Sequence, residues 1–200
     1  MLIVLWPFSV KAIGASSYIV MDQDSKRVLE ESNINKESLI ASISKIMTCL
    51  VALENGNIEK VVKIDDSILK AYGSGIYVEI GEELTLDDLL YGLMLRSGND
   101  AALAIAKAVA GDVKSFVFLM NEEAQKLGMK NTTFVNPSGL EENDGTANKS
   151  TTYDMALLMR YAMQNTYFRK IVATKDIIVK SSYKTYTWHN KNKLLNMYEY

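Results

Sequence analysis

The chain has 200 residues, of which 48 % are apolar and 23 % charged, so it can bury a core and is excluded from the disordered class. Its net charge is −2, and no run of Lys and Arg builds a basic stripe, which excludes a nucleic-acid partner. One Cys and one His leave no internal disulfide and no multi-His or zinc-type metal site, so neither metal nor cofactor is expected.

The first ten residues, Met-Leu-Ile-Val-Leu-Trp-Pro-Phe-Ser-Val, are an apolar run too short to span a bilayer, with small residues following at Ala12 and Gly14. This predicts a secretory signal remnant over 1–14, although no Lys or Arg precedes it; the alternative is a buried N-terminal strand. An extracytoplasmic location follows from the first reading. Ser17–Met21 and Arg27–Glu31, joined by the turn-like Asp22-Gln23-Asp24-Ser25, predict a hairpin. Ser42–Glu54 carries Ile43, Ile46, Met47, Leu50, Val51 and Leu53 at helical spacing, and Asn55-Gly56 ends it. Cys49 lies within this apolar stretch and reads as packing. Thr85 and Asp88 form a capping-box start for a helix with Leu86, Leu89, Leu90, Leu93 and Met94 on one face. Ser97-Gly98-Asn99 interrupts the pattern, and Ala101–Ala110 resumes it. Gly111-Asp112 restarts a helix to about Leu127, closed by Gly128. A polar loop covers Asn136–Lys149, Thr152 caps a helix through about Gln164, and Ile177–Lys180 and Tyr183–Trp188 predict strands.

Without a metal, hydrolysis needs an activated nucleophile, a base and an oxyanion site. His189 near the chain end gives a Ser-His-Asp triad poor support, and no Gly-x-Ser-x-Gly elbow is present. A Ser-Lys pair is the alternative. Ser42 and Lys45 fall on one helix face, about 6 Å apart at Cβ, and the unpaired N–H groups of a helix start lie beside Ser42. A lysine works as base only when neutral, which burial and a nearby cation favour. Ser-x-x-Lys occurs three times, at Ser42/Lys45, Ser67/Lys70 and Ser181/Lys184, so spacing alone does not select one. Ser-x-Asn occurs once, as Ser97-Gly98-Asn99 between two helical stretches. The plain structural alternatives are an N-cap for Ser42 and a helix-breaking turn for 97–99.

The surrounding residues decide between these. Ala41-Ser42-Ile43-Ser44-Lys45-Ile46-Met47-Thr48 resembles the nucleophile helix of the low-molecular-mass penicillin-binding proteins, the serine D-alanyl-D-alanine carboxypeptidases. Leu93–Ala102 resembles their second motif, Phe134–Leu140 the loop after it, Thr151–Ala156 the start of their next helix, and Asn192–Leu195 the segment before their third motif. The resemblance implies an α/β (α+β) transpeptidase fold like that of penicillin-binding proteins and serine β-lactamases, a helical subdomain with an antiparallel sheet, over 15–200. It implies that Ser42 attacks the penultimate D-Ala carbonyl of a peptidoglycan stem peptide ending in D-Ala-D-Ala. Lys45 would take the Ser42 proton, Ser97 would relay one to the leaving D-Ala, and Asn99 would hold Lys45 and the substrate amide. β-Lactams would acylate Ser42, and no cofactor is implied.

The family's Lys-Thr-Gly motif is missing. Lys184-Thr185-Tyr186 is a poor substitute because it precedes Asn192–Leu195 and has Tyr in place of Gly. Ile40 stands where the family usually has Pro. On this reading the sheet is incomplete, the 17–31 hairpin is left nearly alone, and activity is impaired. A membrane surface would become a partner only through a C-terminal anchor of the kind found in this family, beyond Tyr200. Two rival readings are a class A β-lactamase using Glu141 or Glu142, and a non-catalytic peptidoglycan- or penicillin-binding remnant.

Overall fold

The computed structural model describes residues 14–197, and the 1–10 apolar run lies outside them. The first described elements are β1 (Tyr18–Met21) and β2 (Val28–Ser32), an antiparallel hairpin with a bulge between Val20 and Met21. It is anchored more firmly than expected, because a helix near the chain end clamps it. Thr152 Oγ1 donates to Ser17 Oγ at 2.9 Å, and the Arg160 guanidinium donates to the carbonyls of Gln23 and Asp24.

The next stretch departs from the expected continuous helix. Ala41–Ser44 is a 3-10 turn, and α1 (Lys45–Asn55) begins only after it. Ser42 is therefore neither an α-helical residue nor an N-cap. Ala41 has φ of 44°, an uncommon conformation for a residue with a Cβ. The 3-10 turn keeps Ser42 and Ile43 exposed, whereas Ser44 and Lys45 are buried. Behind it, Met47, Cys49, Leu50 and Val51 enter the core. Burial also pushes the Cys49 thiol pKa upward, as suits a packing role.

The core is helical. The expected Thr85 capping box starts α2 (Leu86–Arg96), with Thr85 Oγ1 accepting from Asp88 N and Asp88 Oδ2 accepting from Thr85 N. α3 (Asn99–Ala110) follows after two residues, and Asp112 caps α4 (Val113–Lys126). Ala101, Ala102 and Ala106 are fully buried, so the alanine run lets α3 pack closely on α1 and α2. Thr151, one residue earlier than expected, caps α5 (Thr152–Ala162).

A further helix, α6 (Thr166–Ala173), was not foreseen from the sequence. It buries Phe168 and Ile171 and is capped by Asn165. Its apolar face, Tyr167, Phe168, Ile171 and Val172, has helical spacing but extends over only two turns.

The strands form four separate antiparallel ribbons among the described residues. Two escaped the sequence reading because each strand has only two or three residues. β3 (Ser38–Leu39) pairs with β6 (Lys149–Ser150), and β4 (Val61–Lys63) pairs with β5 (Glu83–Thr85). β7 (Asp176–Lys180) and β8 (Thr185–His189) pair as the last ribbon. Val179, Tyr186 and Trp188 are buried on its inner side. The β3–β6 ribbon matters most for function, because it ties the chain just before Ser42 to the chain just before α5. Among the described residues no helix is long and apolar enough to cross a membrane.

Candidate active site

The 3-10 turn that carries Ser42 is held by one buried side chain. Asn148 Nδ2 donates to Ser44 Oγ at 2.8 Å and to Asn136 O at 2.9 Å. Its Oδ1 accepts from Val135 N and Asn136 N. Thr48 Oγ1 adds a bond to Pro137 O at 2.6 Å. The loop 135–139 is thereby fastened along the start of α1. Gly139 makes the closest approach: a Cβ there would stand 1.9 Å from Ala41 O, and its φ is +82°.

Lys45 is almost fully buried at the centre of this arrangement. Its Nζ lies 3.1 Å from Ser42 Oγ, 2.7 Å from Asn99 Oδ1 and 2.6 Å from Ser138 O. Asn99 and Ser138 offer only acceptors to it, and a neutral amine has two N–H donors to meet them. The lone pair is then left for Ser42, whose O–H donates to it. The same geometry thus places a base on the serine hydroxyl once Lys45 loses its proton. The Lys45 pKa is lowered to about 8, chiefly by burial and next by the Lys191 cation, with Asp100 acting in the opposite sense.

The Asn99 amide is oriented by its surroundings. Nδ2 donates to Tyr72 O at 2.6 Å, an acceptor, so Oδ1 must face Lys45. The Asn99 N–H donates to Ser74 O at 2.8 Å. The segment 72–78 is held in turn by Asp100, whose buried carboxylate accepts from Ile76 N, Tyr77 N and Val78 N.

Of the four residues singled out in the sequence, the structure joins Ser42, Lys45 and Asn99 directly. Ser97 ends α2 in the left-handed conformation, φ 61° and ψ 39°, half-buried, and its side chain has no hydrogen bond among the described residues. The other two Ser-x-x-Lys matches have local duties. Ser67 Oγ bonds to Asp65, and Ser181 Oγ donates to Lys184 O within a turn. Lys184 pairs with Glu79 at 2.7 Å and Tyr186 donates to the buried Glu82, so Lys184-Thr185-Tyr186 serves the β7–β8 ribbon. His189 pairs with Asp176 across the exposed edge of that ribbon. Glu142 accepts from Asn136 Nδ2 at 2.7 Å, which occupies it in the loop.

Sequence reasoning missed four contributors: the carbonyls of Ser138 and Tyr72, the Asp100 carboxylate, and Lys191. The Asn136-Pro137-Ser138-Gly139 string was the available signal for the first, but a carbonyl carries no side-chain signature.

A Ser-Lys-Asn cluster of this kind, on these elements, invites comparison with known proteins. Residues 7–200 match the family described as D-alanyl-D-alanine carboxypeptidase. The chain belongs to that family. A D-alanyl-D-alanine carboxypeptidase of Bacillus subtilis is 36 % identical over 190 residues, covering 92 % of this chain and 48 % of that protein. A D-alanyl-D-alanine endopeptidase of Escherichia coli is 31 % identical over 188 residues, covering 92 % of this chain and 59 % of that protein. The crystal structure of a Mycobacterium tuberculosis D-alanyl-D-alanine carboxypeptidase superposes with a TM-score of 0.87 at 34 % identity, covering 92 % of this chain and 69 % of the other. The chain therefore has the fold of the carboxypeptidase family and spans about half the length of the Bacillus relative.

Proposed function

We propose that this chain carries the acylation centre of a serine-type D-Ala-D-Ala carboxypeptidase, with Ser42 as nucleophile and Lys45 as general base. The observation that carries the reading is the buried Lys45 amine, 3.1 Å from Ser42 Oγ, with its other two contacts both acceptors. Ser42 Oγ attacks the carbonyl carbon of the penultimate D-Ala in a peptidoglycan stem peptide, and its proton passes to Lys45 Nζ. The Ser42 backbone N–H, in the first turn of the 3-10 helix, supports the developing oxyanion. The C–N bond then breaks, and the leaving D-Ala amine takes a proton relayed by Ser97. Asn99 holds Lys45 and offers its second Nδ2 hydrogen to the substrate amide. Water hydrolyses the Ser42 ester. A β-lactam takes the same path to an ester on Ser42, because its strained amide presents the same carbonyl. The substrate implies an extracytoplasmic location, which the apolar start of the sequence supports.

The test is mass spectrometry of the chain after incubation with benzylpenicillin. A penicilloyl adduct on the peptide containing Ser42 is expected. An adduct elsewhere, or none with folded protein, would sink the assignment. Release of free D-Ala from a stem peptide, against cleavage of a cross-linked dimer, separates carboxypeptidase from the endopeptidase activity named for the Escherichia coli relative.

The pH dependence follows from the base. Only neutral Lys45 can accept the Ser42 proton, so the acylation rate is expected to rise with pH and level off above a midpoint of about 8. Rates of fluorescent-penicillin labelling from pH 6 to 10 measure this. A flat profile would exclude Lys45 as the base.

A further inference from the structure

The segment leaving β8 crosses the active-site bend and is pinned there. The Lys191 N–H donates to Leu95 O at 3.2 Å, in the last turn of α2 just before Ser97-Gly98-Asn99. On the other side, Asn190 Nδ2 donates to Thr174 O at 2.9 Å, and Asn190 Oδ1 accepts from Asn192 N at 2.9 Å. The Lys191 side chain reaches Ser74 Oγ at 3.4 Å. Ser74 is the residue whose carbonyl receives the Asn99 N–H. A backbone tether and a side-chain tether thus set this ammonium beside the turn that holds Lys45.

Among the described residues no carboxylate pairs with it. Lys184, by contrast, is paired with Glu79 and His189 with Asp176, and Arg96 donates to His189 O. The elements around Lys45 bring few other charges. The 41–44 turn and the 137–140 loop bring none, α3 brings Asp100, and the segment after β8 brings Lys191. The Asp100 carboxylate is already engaged by the N–H groups of Ile76, Tyr77 and Ala101.

We propose that Lys191 is a positioning residue of this site: its ammonium, strapped across the 97–99 bend, acts through Lys45 to favour the uncharged amine that can take the Ser42 proton. The proposal rests on Lys45 being the base. Repulsion between the two cations is the physical link, added to the larger effect of burial.

The experiment is an NMR titration of the Lys45 ε-carbon in the free 200-residue chain, the resonance being assigned by its loss in Lys45→Met. Lys191→Gln is expected to raise the Lys45 midpoint by about half a pH unit at low salt. Lys191→Arg should restore the parent value, and Lys130→Gln, at an exposed lysine in the turn after α4, should leave it unchanged. Identical midpoints in parent and Lys191→Gln would overturn the proposal. So would an equal rise in Lys130→Gln, since total charge and not position would then be the cause. No substrate is present, so a failure of Ser42 to acylate counts against the proposed function alone.

Discussion

Lys45→Met is expected to cut penicillin labelling of Ser42 by about 10²–10⁴-fold, the usual worth of a general base, while changing the stability of the fold by no more than about 3 kcal/mol. The second half of this expectation comes from two opposing effects. Holding Lys45 at about 8 against the ordinary 10.5 costs the folded chain about 3 kcal/mol at neutral pH, because the unfolded lysine keeps its proton more readily. Methionine has a similar shape and removes that cost. It also strands Asn99 Oδ1 and Ser138 O without their donor, at about 1–3 kcal/mol each. The net change is therefore within about 3 kcal/mol, measurable by urea denaturation at pH 7. The pH dependence separates the two contributions. The penalty is fully present below pH 8 and fades as pH climbs to 10.5, so the parent gains stability across that window. Lys45→Met should lack this gain. Labelling within tenfold of the parent would mean that another group takes the Ser42 proton.

Gly139→Ala should be more damaging to the fold. A methyl group at 139 would lie 1.9 Å from Ala41 O, 2.4 Å from Ala41 C and 3.1 Å from Ser42 N. Neither side can easily yield. Ser138 O is held by Lys45, Gly139 N donates to Asn136 Oδ1 at 2.7 Å, and Ala41 is already at positive φ. Separating them displaces the nucleophile turn by 1 Å or more, and a misplacement of that size costs about 10²-fold in rate. The steric overlap and the left-handed backbone together should remove about 3 kcal/mol or more of stability. Gly145→Ala is the control. Its φ is +80°, but nothing lies within 4 Å of its Cβ position, so it carries the backbone cost alone, about 1 kcal/mol. Equal melting temperatures for the two variants would show that the contact at Ala41 is unimportant.

How far the chain could be read in advance depended on the range of the interactions. The Thr85 capping box, the apolar faces of α1 and α2 and the Asp112 cap all lie within a turn or two of their own sequence, and all were legible. The 3-10 turn at 41–44 was not, because its surroundings are non-local: the 135–139 loop packs closely against Ala41 from almost a hundred residues away. α6 differs: its apolar spacing at Tyr167, Phe168, Ile171 and Val172 and its Asn165 cap were local signals, but they cover only eight residues directly after α5. The three-residue and two-residue strands were likewise too short to read.

The same division runs through the site. Ser42 and Lys45 are neighbours along one turn of chain, and the Ser97-Gly98-Asn99 bend interrupts a helical pattern, but spacing alone fits three Ser-x-x-Lys pairs, so the resemblance of the surrounding residues to a known family was needed to single them out. Their chemistry depends on partners that no local pattern encodes. Lys45 meets Asn99 across 54 positions and the Ser138 carbonyl across 93, and Lys191 arrives from the end of the last ribbon. A backbone carbonyl belongs to every residue, and a surface lysine looks like any other until the fold sets it beside a buried one. Sequence alone therefore determined the family and singled out the candidate site residues. Tertiary packing decided whether the lysine is buried, what its other hydrogens touch, and hence which way its proton moves.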